Sequence, residues 1–377
     1  MALGIDNKRL HELTKYATQH ADLLIEETIN VCEIAAPSFK EQKRAAYVLK
    51  RMLEYGLDTH IDETGNVIAF KKGNCNTKPN IMFVAHMDTV FPEGTNVTVK
   101  RKGCKLYAPG IRDNSAGVAG IILLAKALND IEISHGDIYL VGSVGEEGLG
   151  DLRGIKAAYQ SHKEKVDMVV GVDGGLGGMI SAGIGSRRLK VTVSTGGGHS
   201  WAAFGSPSAI HSLGTMIGEI SKIQVPKSPR TTFNVGVIKG GTSINSIASL
   251  ATMLIDLRSE QKQPLIAIET KVRSIINNVA KKQQVKVNIE VVGDRPVGRL
   301  TKDHKLVKTT AAVLDYLKLP KHTGASSTDC NVPLSDGKPA ICVGITTGKN
   351  AHRLDESLDI EPMSLGLKQL LLLIELL

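Results

Sequence analysis

Five short apolar runs alternate along the chain with longer segments of helical periodicity, and this alternation strongly constrains the fold. Strands that are apolar throughout are usually covered on both faces, as in parallel sheets. Strands that alternate with helices build an α/β layer, in which helices flank a mostly parallel sheet. The predicted strands are NVIAF (66–70), NIMFVA (80–85), DIYLVGSV (137–144), DMVVGV (167–172) and AICVGI (340–345), and the predicted helices span 6–34, 41–56, 115–130 and 152–162.

The middle of the chain has a different pattern, with longer strands and two intervening helices. The predicted strands span 186–195, 230–241, 250–260 and 284–293, and the helices span 206–222 and 265–282. At 377 residues the chain exceeds the size at which a single core usually stops growing. We therefore predict an α/β domain formed by residues 1–184 and 294–377, with a compact α+β domain, residues 185–293, inserted into it.

The basic charge of the chain does not indicate a nucleic-acid-binding protein. The formal net charge is +8, but no run of five basic residues occurs. Aromatic residues make up only 4% of the chain, too few for the stacking platforms that bind single strands. We interpret the charge as a solvated surface and expect no nucleic-acid partner.

Cysteine usage and the two ends of the sequence favour a cytoplasmic protein. The five cysteines are widely spaced and form no C-x-x-C pair, which argues against disulfides and against a thiolate zinc site. The first twenty residues lack the apolar core of a signal peptide. The apolar segment LGLKQLLLLIELL contains Lys368 and Glu375 and falls short of the ~20 apolar residues of a membrane span. We expect no membrane association.

Acidic and histidine residues follow several of the predicted strands. In open α/β sheets, ligands bind outside the carboxyl ends of the strands. We therefore expect these side chains to meet at one edge of the sheet. They are His86 after strand 80–85, the pair Glu146 and Glu147 after 137–144, Asp173 after 167–172, His352 soon after 340–345, and Asp113 in the loop that opens helix 115–130.

Carboxylates and imidazoles without a thiolate suit zinc, manganese or cobalt. A two-metal site needs about three protein ligands for each metal if a position is to stay open for water. The two histidines and the three carboxylates Asp113, Glu147 and Asp173 reach that number only if one carboxylate bridges both metals. The residues therefore predict two divalent cations, with a bridging aspartate holding them ~3.5–4 Å apart.

Two further acidic positions lie beside the predicted ligands. Successive residues that leave a strand point in roughly opposite directions, so one residue of the Glu146–Glu147 pair can bind a metal while the other takes a proton from water. Asp88 lies two residues after His86. Because a histidine ligand normally donates its other N–H to a carboxylate, we expect Asp88 to orient His86.

These motifs together resemble the metal-dependent exopeptidase family that includes peptidase T, carboxypeptidase G, aminoacylase and succinyl-diaminopimelate desuccinylase. AHMDTV looks like the first metal motif, GIRDNSAG the bridging-aspartate motif and VGEEGLGD the base-and-ligand motif. VGVDGG and NAHRLDES look like the remaining two ligand motifs. The resemblance covers almost the whole chain and implies a zinc-exopeptidase-like fold.

The resemblance also implies a role for each residue of the site. It implies two zinc ions, with cobalt and manganese as alternatives, and makes Glu146 the general base. The implied ligands are His86, Asp113 and Asp173 for one metal and Asp113, Glu147 and His352 for the other. An aspartate at position 173 is similar to the peptidase T-like branch, and the family pattern implies a cis peptide between Asp113 and Asn114.

The inserted domain resembles the lid, or dimerisation, domain of the same family. His199, in STGGGHSWAAFGSP, is implied to stabilise the oxyanion, often across a dimer interface. Asn245 and Arg258 match positions that bind the substrate backbone or carboxylate. The alternatives are an ordinary loop histidine at position 199 and a surface ion pair at position 258. The resemblance implies a homodimer formed through the lid.

We predict a two-metal hydrolase that cleaves amide bonds of short peptides, as an aminopeptidase of the tripeptidase type. A carboxypeptidase or an N-acyl-amino-acid deacylase would use the same metal site. An inactive binding protein on the same fold is an alternative of another class, although the motifs lack neither a ligand nor the base. The sequence contains no strand–helix G-x-G-x-x-G and no G-x-x-x-x-G-K-[ST], which argues against a nucleotide-dependent enzyme.

Overall fold

The computed structural model describes residues 5–377, so the first four residues of the predicted segment 1–184 lie outside it. The helices are α1 (Asn7–Gln19), α2 (Ala21–Cys32), α3 (Gln42–Glu54), α4 (Ala116–Asp130), α5 (Arg153–His162), α6 (Ala209–Ile220), α7 (Lys262–Gln283), α8 (Lys305–Tyr316), α9 (Asn331–Ser335) and α10 (Met363–Leu376). The helix predicted over 6–34 is therefore two helices, α1 and α2, that meet at His20.

The strands of the described residues are β1 (Asp58–Ile61), β2 (Val67–Lys71), β3 (Ile81–His86), β4 (Lys100–Lys102), β5 (Lys105–Tyr107), β6 (Ile138–Ser143), β7 (Met168–Val172), β8 (Gly178–Gly183), β9 (Gly185–Ser194), β10 (Gly198–His199), β11 (Thr231–Gly240), β12 (Ser246–Ile247), β13 (Leu250–Ser259), β14 (Lys286–Arg295), β15 (Gly298–Arg299), β16 (His322–Ser326), β17 (Ala340–Val343), β18 (Gly348–Lys349) and β19 (Ser357–Asp359). An irregular turn, Ile111–Ser115, precedes α4, and a short 3₁₀ turn, Gly148–Gly150, precedes α5.

The chain divides into two compact units. The main unit joins the residues up to Gly183 with Gly298–Leu377, and the inserted unit is Ile184–Val297. The inserted unit extends past residue 293 because β14 continues to Arg295 and a short connection follows it. Each unit has a hydrophobic core of its own.

The main unit is built on a nine-stranded sheet in the order β1-β2-β6-β3-β7-β17-β8-β15, with β16 paired to β8 outside this path. The four central strands, β6, β3, β7 and β17, are mutually parallel. On one side β1, β2 and β6 pair antiparallel, and on the other β8 is antiparallel to β17 and β15. The predicted α/β class is confirmed, and the sheet is more mixed than predicted because antiparallel pairs flank its parallel centre.

A tight turn pairs the strand predicted at 66–70 antiparallel with β1. The Asp62 carboxylate accepts hydrogen bonds from the backbone N–H groups of Thr64, Gly65 and Asn66, each at 2.9 Å. Gly65 has a φ of +102°, which favours glycine at this position. An aspartate that accepts from the amides of the following residues stabilises a tight turn, and this turn closes the β1–β2 hairpin.

The central strands are buried along their whole length. Ile81, Phe83 and Ala85 of β3 belong to the core that includes α2, α4 and α10. Met82 and Val84 belong to a second core on the other face, together with residues of α5. Because successive side chains of a strand point to opposite faces, both faces of this strand are apolar. Polar side chains can therefore leave the centre of the sheet only at the strand ends.

The inserted unit has a four-stranded antiparallel sheet in the order β11-β13-β9-β14, and β10 and β12 form a separate two-stranded sheet. Leu189, Val191 and Val193 of β9 pack into a core with residues of α6 and α7. The alternate residues of β9, such as Lys190 and Thr192, are partly exposed. Helices thus cover one face of this sheet, and the other face carries polar side chains such as Lys190 and Thr192.

α10, which contains all but the last residue of the apolar segment LGLKQLLLLIELL, is a buried helix. Nearly all of its side chains, from Met363 to Ile374, lie within the core of the main unit. Among residues 5–377, none of the helices has both the length and the apolar character needed to cross a bilayer.

The packing of α10 can be tested by truncating one leucine. Leu371 is fully buried, so Leu371→Ala should leave a cavity and lower the free energy of unfolding by about 2–5 kcal/mol. Leu53→Ala is the control, because that side chain is 49% exposed and its truncation should cost no more than about 0.5 kcal/mol. Urea denaturation followed by circular dichroism measures both, and equal midpoints would contradict the packing of α10.

Candidate metal centre

The carboxyl ends of the central strands bring the predicted ligands together. His86 is the last residue of β3, Asp173 directly follows β7, and Glu147 follows β6 after a short turn. Asp113 lies in the irregular turn that leads into α4, and His352 lies in the loop after β18. Residues that are far apart in the sequence therefore meet at one edge of the main sheet.

Asp113 is at the centre of this cluster. Its Oδ1 lies 3.2 Å from Nε2 of His86, and its Oδ2 lies 3.2 Å from Nε2 of His352. The same His352 nitrogen lies 2.9 Å from Oε1 of Glu147, and the His86 nitrogen lies 4.0 Å from Oδ2 of Asp173. One ligand atom each of His86, Asp113 and Glu147 lie within 4.8 Å of one another. The two carboxylate oxygens of Asp113 thus face different histidines.

The protonation of these groups follows from their mutual charges. Burial and the neighbouring Asp113 carboxylate raise the pKa of Asp173 to about 6. Hydrogen bonds to Asp113 and Glu147 raise the pKa of His352 to about 10. Burial lowers the pKa of His86, but the adjacent carboxylates of Asp113 and Asp88 outweigh this effect and raise it well above its usual range. Protonated imidazoles therefore balance the carboxylates when no metal is bound.

The donor set fits a divalent metal ion. A protonated imidazole and a metal cation would both neutralise the nearby carboxylates. Metal binding to such ligands displaces the imidazole protons. The donors are carboxylate oxygens and imidazole nitrogens, which suit zinc, cobalt and manganese. The Cys342 thiol near this site donates to the backbone carbonyl of Asp173, 3.5 Å away, and is no part of the ligand set.

Asp88 contacts His86 through both its backbone and its side chain. Its backbone carbonyl oxygen is 3.1 Å from Nδ1 of His86, and its carboxylate Oδ1 is 3.7 Å from the same nitrogen, an ion-pair distance. The fully buried carboxylate also accepts from the backbone N–H groups of Glu146 and Glu147, at 2.9 and 3.0 Å. Asp88 therefore contacts the imidazole and also holds the turn after β6, and its role in orienting His86 stays a prediction.

The predicted base and its neighbour are both buried. Glu146 is 6% exposed and Glu147 is 7% exposed, so neither is a solvated surface charge. The charge of Glu146 also contributes to the raised pKa of His86. The pair therefore follows β6 as predicted, with Glu147 in contact with His352.

Asn114 joins the bridging aspartate to the next ligand loop. The peptide bond between Asp113 and Asn114 is cis, as the family pattern implies. The Asn114 side chain donates to the carbonyl of Val172, at 2.9 Å, one residue before Asp173. Its amide oxygen accepts from the N–H of Gly117 at the start of α4, at 3.2 Å. This side chain ties the turn that carries Asp113 to the end of β7.

Glu356 is a structural residue of the site that the sequence reading missed. Its buried carboxylate accepts from the backbone N–H groups of Gly110, Arg112 and Asp113, at 3.1, 2.9 and 2.9 Å. Glu356 lies four residues after His352, so it fixes the loops of two ligands to each other. An acidic residue inside the motif NAHRLDES was the available signal, but its three partners are distant in the sequence.

Arg44 was also missed, and nothing in the charged helical segment EQKRAAYVLKRM distinguishes it. The side chain is 1% exposed, and burial lowers its pKa to about 10. Its guanidinium donates to the carbonyls of Met87 and Ile34, each at 2.7 Å, and to that of Cys32 at 3.3 Å. Arg44 thereby fixes the backbone between His86 and Asp88.

The three remaining predicted residues belong to the inserted unit. His199 lies on β10 and is exposed, and its Nδ1 accepts from the N–H of Trp201 at 3.2 Å. Asn245 accepts through its backbone carbonyl from the N–H of Ser200 at 2.9 Å, next to His199. Arg258 lies on β13 and forms an ion pair with Asp256 at 2.6 Å. Their roles in a reaction stay predictions.

The fold is similar to that of two solved structures. An aminopeptidase PepT from Bacillus cereus superposes with a TM-score of 0.77 at 21% identity, covering 94% of this chain and 98% of that chain. A tripeptidase from Staphylococcus aureus superposes with a TM-score of 0.79 at 20% identity, with the same coverage of 94% and 98%. Among sequence relatives, the uncharacterized protein YqjE of Bacillus subtilis is 24% identical over 355 residues, which are 90% of this chain and 94% of YqjE.

A mixed α/β fold with imidazole and carboxylate ligands at the strand ends defines a class of metal-dependent hydrolases. Residues 82–376 match the model of Peptidase family M20/M25/M40, and the chain belongs to this family. The match covers more than half of the chain and includes all five predicted ligands. The family resemblance that the five motifs indicate is therefore confirmed.

The anchoring role of Glu356 predicts an effect on metal affinity. A glutamine has one acceptor oxygen instead of two, so Glu356→Gln should release part of the Gly110–Asp113 turn and weaken divalent metal binding by about 10–100-fold. Asp355→Asn is the matched control, because that exposed residue pairs with Arg353. Competition with a fluorescent chelator measures both affinities, and an unchanged affinity of Glu356→Gln would contradict the role.

The raised pKa of His352 predicts the pH dependence of metal binding. With a pKa of about 10, this imidazole is protonated at neutral pH in the metal-free protein, so a metal ion must displace the proton. The affinity should rise with pH below that value, by about tenfold per pH unit for each displaced proton. Calorimetric zinc titrations in buffers of different ionisation enthalpy measure the released protons. Binding without proton release would contradict the assignment of His352.

Proposed function

We propose that the protein is a two-metal aminopeptidase of the tripeptidase type that hydrolyses short peptides in the cytoplasm. The observation that carries the proposal is the position of Asp113. Its two carboxylate oxygens each lie 3.2 Å from the Nε2 atom of a different histidine, His86 and His352. A carboxylate that faces two separate ligand sets is suited to bridge two cations.

Each half of the cluster has the ligands for one divalent cation, zinc, cobalt or manganese. The proposed sets are His86, Asp113 and Asp173 for one ion and Asp113, Glu147 and His352 for the other. Two such ions would polarise the scissile carbonyl and lower the pKa of a water molecule to about 7. The 4.0 Å between His86 and Asp173 supports the first set, and the 2.9 Å between His352 and Glu147 supports the second.

Glu146 is the proposed general base. It directly precedes the ligand Glu147, is buried, and lies close enough to His86 to affect its pKa. Its carboxylate would take a proton from the attacking water and deliver it to the leaving amine. The Asp88 carboxylate holds the backbone N–H groups of both glutamates, which keeps the base in a defined orientation.

The inserted unit would supply the substrate contacts. His199 would donate a hydrogen bond to the oxyanion, and its exposure leaves the ring accessible. Asn245 and Arg258 would bind the backbone and the carboxylate of the peptide. Association of two copies through this unit is part of the proposal. It is supported by β11 at the edge of its sheet, where Val237 and Ile238 are 40% and 55% exposed.

The substrate class rests on likeness to other proteins. Two of the solved structures with a similar fold are described as an aminopeptidase and a tripeptidase. At 20–21% sequence identity this similarity is one of fold only. The substrate must therefore be identified by measuring which compounds the protein hydrolyses. Tripeptides such as Ala-Ala-Ala, dipeptides and N-acetyl amino acids should be compared by product analysis. Release of the N-terminal residue supports the proposal, whereas release of the C-terminal residue or of acetate would replace it with a carboxypeptidase or a deacylase.

Removal of the base tests the mechanism. Glu146→Gln should retain the metals but lower kcat on tripeptides by about 10²–10⁴-fold, because the water loses its proton acceptor. Glu164→Gln, at an exposed position, is the control and should keep its activity. Chelation should abolish hydrolysis by the wild-type protein, and zinc, cobalt or manganese should restore it. A Glu146→Gln protein with bound metal and near-wild-type turnover would exclude this base.

A further inference from the structure

The Asp88 carboxylate receives hydrogen bonds from three donors. Oδ1 accepts from the backbone N–H of Glu146 at 2.9 Å, and Oδ2 accepts from that of Glu147 at 3.0 Å. The third donor is the hydroxyl of Ser38, which lies 2.6 Å from Oδ2. Ser38 is half-buried and belongs to the connection between α2 and α3, so it reaches the site from a part of the chain that supplies none of the predicted ligands.

The direction of these contacts decides which group Asp88 controls. The carboxylate lies 3.7 Å from Nδ1 of His86, whereas the Asp88 backbone carbonyl oxygen lies closer to that nitrogen, at 3.1 Å. Both carboxylate oxygens are directed at the amides of the turn after β6. A shift of the Asp88 carboxylate would therefore move Glu146 and Glu147 before it moved His86.

The segment that carries Ser38 is fixed to the loop after β3. The N–H of Thr89 donates to the carbonyl of Ala36 at 2.9 Å, and Pro37 forms an isolated parallel bridge with Thr89. Arg44 joins the same two segments by donating to the backbone carbonyls of Ile34 and Met87, each at 2.7 Å. The backbone on both sides of the Ser38–Asp88 hydrogen bond is thus held in place.

Ser38 provides the one side-chain hydrogen bond among the three that the Asp88 carboxylate accepts from Ser38, Glu146 and Glu147. Its hydroxyl also lies 3.4 Å from the carbonyl oxygen of Glu147. A hydroxyl has one hydrogen, and the short 2.6 Å distance assigns it to the carboxylate. Charge-assisted O–H···O⁻ bonds of this length are among the stronger hydrogen bonds in proteins.

We propose that Ser38 is a positioning residue for the reaction, acting through Asp88 on the turn that carries the base. The hydroxyl sets the position of the Asp88 carboxylate, the carboxylate holds the two backbone N–H groups, and these set the direction of the Glu146 side chain. The proposal rests on the proposed function of Glu146. Because a misplacement of about 1 Å can cost ~10²-fold in rate, loss of one of three hydrogen bonds should cost about 10-fold.

Three variants of the full-length, zinc-reconstituted protein test this role. Ser38→Ala removes the hydroxyl, Ser38→Thr retains it, and Ser335→Ala removes an exposed hydroxyl of α9 as a control. On whichever amide substrate the wild type cleaves, Ser38→Ala should lower kcat by about 10-fold, with KM and bound metal unchanged. Ser38→Thr should recover to within about threefold of the wild type. Unchanged kcat in Ser38→Ala, or loss of metal in proportion to kcat, would overturn the proposal.

A second measurement does not depend on activity. Backbone amide hydrogen exchange, read by mass spectrometry on a peptide that spans Glu146 and Glu147, should be faster by about 10-fold in Ser38→Ala than in Ser38→Thr or the control. Equal exchange in all proteins would refute the positioning role of Ser38. If the wild type cleaves no amide substrate but the exchange differs as expected, the proposed function fails while the structural role of Ser38 stands.

Discussion

The site of the main unit depends on several carboxylates that lie close together at the ends of buried strands. Asp113 shares its two oxygens between His86 and His352, and Glu147 and Asp173 add their carboxylates to the same space. Burial, together with repulsion from the Asp113 carboxylate, raises the pKa of Asp173 to about 6. Carboxylates this close need cations between them, either imidazolium protons or divalent metals. The strands on which they stand are too well packed to let them separate.

Two buried carboxylates hold the loops in which regular hydrogen bonding ends. Asp88 accepts from the amides of Glu146 and Glu147, and Glu356 accepts from three amides of the turn that carries Asp113. Backbone N–H groups beyond the end of a strand would otherwise lack partners, and an ionised acceptor binds them more strongly than a carbonyl does. The buried guanidinium of Arg44 donates hydrogen bonds to backbone carbonyl groups in the same part of the structure. The loops that carry the proposed ligands are thus held by charged side chains outside the proposed ligand set.

The two units bury their sheets differently: helices cover both faces in the main unit and one face in the inserted unit. In the main unit helices cover both faces, so chemistry is confined to the strand ends. In the inserted unit α6 and α7 cover one face only, and the other face carries polar side chains such as Lys190 and Thr192. Arg258 also lies on this uncovered face, where it pairs with Asp256. An α+β layer of this kind can present polar groups without exposing an apolar core.

The sequence alone determined the α/β class, the family and the set of residues that meet at the strand ends, because these depend on local patterns. Apolar runs of strand length identified β3, β6 and β7, and the residues that follow these runs include His86, Glu147 and Asp173. Only the tertiary structure decided the antiparallel edges, the backbone partners of the Asp88 carboxylate, and the contacts of Ser38, Arg44 and Glu356. These depend on contacts across long separations, such as 58 residues between Asp88 and Glu146 and 246 between Gly110 and Glu356. A side chain that pairs with distant backbone amides leaves no periodicity in the sequence, so its partner becomes known only when the chain is folded.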